Sequence, residues 1–147
     1  GIGLYGIDSS GLIQEKLQTV LTLKASISQI KVVAAGESIG YSRAGWAEAE
    51  QRIGTISIGY ADGLLRGAGN GHYEVLVREK RVPIVGQVCM DMCMLDLSGV
   101  PEAQEGDEVV IFGQAPTVQE LASCLGTIPY EVFTNVSARV KRVYFQE

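Results

Sequence analysis

Two tyrosines, Tyr41 and Tyr60, stand in the stretch Gly36 to Gly63 (GESIGYSRAGWAEAEQRIGTISIGYADG), each directly after a glycine and each closing an apolar, strand-like run. Glycine permits a close backbone approach or a positive φ, so each phenol is expected at a strand end, with a rigid support and an open side. A phenol ionises near pH 10, and it becomes a useful base at neutral pH only where neighbouring cations or dipoles favour the phenolate. A shift of about three units requires ~4 kcal/mol of differential stabilisation, and no group in this chain evidently supplies it. Arg43 follows the first tyrosine; Asp62 and Arg66 follow the second. On local chemistry alone, two half-buried tyrosines capping a β-core and a simple Asp62-Gly63 turn are the plainer account.

A third concentration of polar groups is the run 86–93, GQVCMDMC, where Asp91 interrupts an apolar stretch. A carboxylate in such a context must be paired, exposed at a bulge or facing a cavity. Cys89 and Cys93 suit small apolar packing better than reactivity. With Cys124 they make three cysteines, an odd number that implies a reducing compartment and not a disulfide framework, and the lone His72 adds too little for zinc. No metal is expected, and localisation is expected to be cytoplasmic. There is no Ser-His-Asp set, phosphate-binding glycine loop or recognisable acid pair.

Several strands must position these residues. Alternation marks strands over Val20 to Ala34 and Arg52 to Tyr60; Tyr73 to Val77 and Val82 to Val85 flank the charged residues 78–81 as a hairpin; Val88 to Leu97 alternates less cleanly but is apolar; and Val109 to Phe112 is a short strand after the turn signal Glu105-Gly106-Asp107. Short strands are also expected over Gly1 to Gly6 and Val140 to Phe145. Helices are confined to the last third. Thr117-Val118-Gln119-Glu120 is a capping box for a helix ending at Gly126, and Pro129 opens a second short one. Short strands at roughly ten-residue spacing indicate a small barrel or sandwich.

The 147 residues make one domain of ordinary globular composition, and a net charge of −5 without a basic cluster argues against a nucleic-acid partner. No apolar run reaches the ~18 residues of a membrane span, and no signal peptide is apparent. The abrupt, Met-less opening on GIGLYG suggests a piece of something larger.

Six stretches in order, GIGLYG, LKASISQIKVVAAGESIGYSRAG, RIGTISIGYADGLLR, VPIVGQVCMDMCMLDL, EGDEVVIFG, and TIPYEV with SARVKRVY, closely resemble the C-terminal β-domain of the pyridoxal-phosphate-dependent alanine racemases. The resemblance covers essentially the whole chain. It implies a mainly β fold: a small closed Greek-key-like barrel with one or two short helices, the C-terminal domain of a fold-type III pyridoxal 5'-phosphate enzyme. Residues 1–8 would be the last strand of an absent cofactor-binding barrel, and 9–147 the β-domain. It implies interconversion of L- and D-alanine by two-base α-proton transfer, supplying D-amino acids to peptidoglycan. One base would be Tyr41. The other would be a lysine of the N-terminal barrel, in a head-to-tail homodimer. Tyr60 and Asp91 would line the substrate entrance, Met90 would lie by the substrate carboxylate, and Tyr130, Gly1 and Ile2 would hold the cofactor phosphate. None of the five lysines (Lys16, Lys24, Lys31, Lys80, Lys141) matches the cofactor lysine's motif.

Two departures stand out: Gln87 replaces a common arginine at the entrance, and Ser42 replaces the common glycine after the tyrosine. Both bear on substrate choice, and they keep open a serine/alanine racemase of the membrane-tethered type linked to glycopeptide resistance. A basic-amino-acid decarboxylase, for which Cys89 and Asp91 fit superficially, and a non-catalytic interaction module are the alternatives.

Overall fold

A computed structural model describes residues 1–8, 10–43 and 45–145, with no account of the Ser42 side chain. Six antiparallel strands close into a barrel: β1 (Leu23–Val33), β4 (Gln51–Ile56), β7 (Cys93–Asp96), β6 (Lys80–Val85), β5 (Glu74–Val77) and β8 (Glu108–Phe112), in that spatial order. The order is not a simple meander, because the β5–β6 hairpin lies between β7 and β8. A two-stranded hairpin, β2 (Ser38–Ile39) and β3 (Gly45–Trp46), leaves the barrel between β1 and β4. Two seven-residue helices follow β8, α1 (Val118–Cys124) and α2 (Pro129–Asn135).

Strand β1 makes closure possible. Its first part pairs with β8, from Leu23↔Phe112 to Ser26↔Glu108. Its second part pairs with β4, from Ile27↔Ile56 to Val33↔Gln51, with an irregularity between Ile27 and Gln29. A strand that changes partner at a bulge leaves neither end of the sheet unpaired. Alternation then separates two clusters. Ile56, Cys93 and Leu95 face the barrel interior with Val75, Val77, Ile84 and Ile111. Ile53 and Met94, of opposite parity, form a second cluster with Ile39, Ala47 and Cys89. The β2–β3 hairpin is thus held against the other face of β4 and β7.

The expected hairpin turns through Arg78 and Glu79, both at positive φ, the backbone of a two-residue hairpin turn. Arg78 donates two hydrogen bonds to Asp107, at 2.6 and 3.0 Å, pinning the turn to the loop before β8. The capping box forms as expected, with Thr117 accepting from the Glu120 amide and Glu120 from the Thr117 amide. Pro129 opens α2.

Four strand expectations are corrected. Gly1 to Gly6 is a 3-10 turn over Ile2–Tyr5, stopped by Gly6 in the left-handed region. Among the described residues no strand lies beside it, so its backbone groups close local bonds instead. Val140 to Phe145 is not a strand for the same reason. The third, Arg52 to Tyr60, stops at Ile56, and Val88 to Leu97 is a strand only over Cys93–Asp96. Residues beyond those limits pair loop to loop, and the candidate site is built there.

Leu95 is fully buried at the centre of the interior cluster. Leu95→Ala is expected to cost about 2–5 kcal/mol, read as a lowered denaturant midpoint with unchanged slope.

Candidate active site

The antiparallel register brings the site's loops to one end of the barrel. Ile56 of β4 faces Cys93 of β7, and Val85 of β6 faces Met94, so β4 and β6 end where β7 starts. The loop after β4 carries Tyr60, and the loop joining β6 to β7 carries Met90 and Asp91. The two are stitched at the backbone: the Tyr60 amide donates to the Cys89 carbonyl at 2.9 Å, and the Ala61 amide to the Met90 carbonyl at 3.0 Å. Only glycine allows this approach at residue 59, where a Cβ would stand 2.2 Å from the Cys89 oxygen.

Tyr41 reaches the same place by another route. It lies in the turn Tyr41–Arg43 at the tip of the β2–β3 hairpin, not at a strand end as expected, and it is 69% exposed. Gly40 precedes it at positive φ, and a Cβ there would meet Met94 Cε at 2.6 Å and the Gln87 amide nitrogen at 3.8 Å. The hairpin therefore sets Tyr41 next to the start of the Met90–Asp91 loop. Gln87 in that loop accepts a hydrogen bond from Arg66, so a guanidinium still stands beside the position where an arginine was expected. The serine noted beside Tyr41 has its side chain outside the described residues.

Asp91, expected to be paired, exposed or cavity-facing, is exposed and paired. Its Oδ1 accepts from Arg139 Nη2 at 2.6 Å, while Arg139 Nε donates to Asp62 Oδ1 at 2.7 Å. Asp62 does more than make a turn: its Oδ2 accepts the Gly59 amide at 2.9 Å, and its backbone carbonyl accepts the Ser137 amide at 3.1 Å. Partial burial opposes ionisation of Asp62, but the bonds from Arg139 and the Gly59 amide prevail and hold its carboxyl below the usual range. The two carboxylates, Asp62 first, drive the Arg139 guanidinium still further toward the charged form.

The remaining candidates gather around α2. Half-exposed Tyr130 sits in its first turn, and Phe133, one turn on, stacks on Tyr5 with ring centroids 5.3 Å apart. That contact fastens the Ile2–Tyr5 turn to the helix, while the Ile2 side chain enters the core. At its far end α2 approaches Gly63, where a Cβ would meet the Asn135 carbonyl at 2.6 Å. Tyr41, Tyr60, Met90 and Asp91 therefore gather at one loop; Tyr130 lies in the first turn of α2, at the end away from Gly63, and the Ile2–Tyr5 turn packs on the same helix through Phe133. The residue sequence reasoning missed is Arg139. It lies within the matched stretch SARVKRVY, but its partners are 48 and 77 residues away and nothing in that stretch marks it as a site residue.

A family model described as alanine racemase, C-terminal domain, matches residues 20–144. The chain belongs to this family. It is 44% identical over 152 residues to an alanine racemase of Helicobacter acinonychis, covering 98% of this chain and 40% of that protein. Among solved structures it is similar to the biosynthetic alanine racemase of Pseudomonas aeruginosa, with a TM-score of 0.91 at 42% identity, covering 99% of this chain and 41% of that one. The alanine racemase of Bartonella henselae with covalently bound pyridoxal phosphate gives 0.93 at 33% identity, covering 99% and 40%. This alanine racemase C-terminal domain thus spans about two fifths of the length of the relatives it matches.

The lowered Asp62 carboxyl carries a pH signature. Its stabilising effect is complete above the unfolded-chain value of about 4 and is lost as pH falls through the lower folded value. The stability gap between wild type and Asp62→Asn is therefore expected to stay level from pH 7 to about 5 and to close below about 4. Denaturant titrations at stepped pH check this, and a gap that widened on acidification would contradict it.

Proposed function

We propose that this chain is the substrate-side half of the active site of a pyridoxal-phosphate-dependent amino-acid racemase that interconverts L- and D-alanine. The observation that carries this is the placement of Tyr41. An exposed phenol stands on the β2–β3 hairpin, where the preceding Gly40 packs against Met94 and the Gln87 amide at the start of the Met90–Asp91 loop, with the Tyr60 loop stitched to that loop. Relatives named alanine racemase support the reaction, and one of them carries the cofactor.

The residues present suit that cofactor's phosphate. Tyr130 offers a half-exposed phenol donor, and the first amides of the Ile2–Tyr5 turn have no partner within the turn. Such neutral donors match phosphate oxygens. The cofactor, when bound, makes the substrate's α-proton labile by drawing its electrons into the pyridinium ring. This chain supplies the rest of one face. The Tyr41 phenol oxygen takes the α-proton there as the phenolate or returns it as the hydroxyl, Met90 packs beside the substrate carboxylate, and Tyr60 and Asp91 shape the entrance and limit water. The lysine for cofactor and opposite face comes from outside the chain. Lys24 and Lys80 are engaged with Glu108 and Glu102, at 2.9 and 3.0 Å.

The full protein would join this domain to an N-terminal cofactor-binding barrel, with residues 1–8 as that barrel's last segment and 9–147 as the β-domain. A family match that begins at residue 20 supports a boundary upstream of it. Two copies would assemble head to tail, so that each Tyr41 completes the partner's site. Three free thiols fit a cytoplasmic enzyme feeding D-alanine to peptidoglycan. Serine as a second substrate rests on Gln87 and Ser42, and comparing rates with L-alanine and L-serine decides it. The decarboxylase alternative is weakened by Cys89, which is buried with its thiol turned to the Gln87 carbonyl at 3.6 Å.

Tyr41→Phe in the full-length protein is expected to slow racemisation by about 10²–10⁴-fold. Solvent deuterium should still enter when one enantiomer is supplied and be lost for the other. Wild-type exchange from both enantiomers would instead favour a non-catalytic module. The isolated 147 residues should show no racemisation, since they carry one of the two bases; measurable turnover by them would refute the half-site reading.

A further inference from the structure

Arg139 joins the two loops of the candidate site through side chains. The same loops are also joined by backbone bonds from the Tyr60, Ala61 and Asn70 amides and by Arg66 donating to Gln87, but among the described residues the hydrogen bonds that tie the Asp62 and Asp91 side chains together run through Arg139. Asp62 has a second anchor in the Gly59 amide, but among the described residues Arg139 is the hydrogen-bonding partner of the Asp91 carboxylate. The guanidinium is itself well placed. The Ser137 amide ties its segment to the Asp62 carbonyl at 3.1 Å, the Ser137 hydroxyl accepts the Arg139 amide at 3.3 Å, and Arg142 donates to the carbonyls of Val136, Ser137 and Val140 at the end of α2.

We infer that Arg139 is a positioning residue for the racemase site proposed above: its planar fork sets the spacing between the Tyr60 loop and the Met90–Asp91 loop, and with it the width and charge of the substrate entrance. This rests on the racemase reading. The fork matters because Nε and Nη2 point in fixed directions, so one rigid group holds two carboxylates at a defined separation. An ammonium on a flexible stem keeps the charge and loses the spacing. The charge matters too. Arg139 lies between the Asp62 and Asp91 carboxylates, and removing it leaves two negative charges without their shared cation near an incoming amino-acid carboxylate. Arg139 and Asp91 are half-exposed, and an ion pair of that kind adds little to global stability, so the effect of losing it belongs to the loops and not to the barrel.

The test uses the full-length protein with Arg139→Ala, Arg139→Lys, Asp91→Asn and the double variant Arg139→Ala with Asp91→Asn. Arg139→Ala is expected to raise KM for L-alanine about tenfold or more, with kcat within about threefold and an unfolding temperature close to wild type. Amide hydrogen exchange at Met90 to Met92 should quicken about tenfold or more while β4 and β7 keep their protection. Arg139→Lys should restore part of the KM loss and little of the loop protection. Asp91→Asn should raise KM in the wild-type background and add less than about twofold to Arg139→Ala, because the two act as one unit. Should Arg139→Ala fail to fold, Arg139→Lys alone carries the same comparison of KM and exchange. Unchanged KM with unchanged loop exchange, or effects of Arg139 and Asp91 that simply multiply, would overturn the inference. If the wild-type protein does not racemise alanine, the racemase reading fails, and the exchange measurement still decides whether Arg139 holds the loops.

Discussion

Closure of the barrel by β1 is the constraint on which everything else depends. One eleven-residue strand hydrogen-bonds to β8 along its first part and to β4 along its second, changing partner around Ile27. The Ile27 amide and carbonyl are taken up by Asp107 and Gly106, so the backbone stays satisfied where the ladder is interrupted. An open six-stranded sheet would leave edges exposed and its inner face half wet. Closed, it buries Ile56, Val75, Val77, Ile84, Leu95 and Ile111 to the point of no accessible surface. Burial on that scale dominates the favourable side of folding, so the loops carry little of the burden of stability.

The loops are freed for another task, and their geometry follows from register. The partners of Ile56 and Val85 in β7 bring the ends of β4 and β6 to the start of β7. The β2–β3 hairpin, held by Ile39 and Ala47 on the other face of β4 and β7, carries Tyr41 to the same end. Three segments distant in sequence meet around Gln87 to Asp91. Gly59 and Gly86 allow the meeting: a Cβ at Gly86 would stand 2.9 Å from the Ile39 carbonyl oxygen. Arg139 then joins two of these segments through charge. The barrel supplies rigidity, the glycines supply proximity, and the guanidinium supplies registration.

Among the described residues the candidate site gathers phenols, carboxylates, a thioether and the guanidinium groups of Arg66 and Arg139, and no lysine. That composition suits half of a composite site. A phenol exposed on one rigid domain can face a cofactor held by another, and the reaction proposed here needs bases on two sides of one carbon. Tyr130 lies in the first turn of α2, away from the Gly63 end, and the Ile2–Tyr5 turn is fastened to the same helix through Tyr5 and Phe133.

Alternation, turn residues and caps are local signals, so the β-rich class, β1, the β5–β6 hairpin, β8 and both helices were legible from residue order. The ordered motifs also singled out Tyr41, Tyr60, Met90, Asp91 and Tyr130. Apolar character without a neighbouring strand was misleading, and Gly1 to Gly6 and Val140 to Phe145 were read as strands for that reason. Ladder bonds require a partner, and hydropathy does not say whether one is present. Asp91 showed only that it needed some partner. That the partner is Arg139, that Asp62 shares it, and that Tyr41 rides a hairpin to the same loop were decided by the tertiary structure. A pair interaction across tens of residues leaves no periodic trace in the chain and exists only once the closed barrel brings its loops to one end.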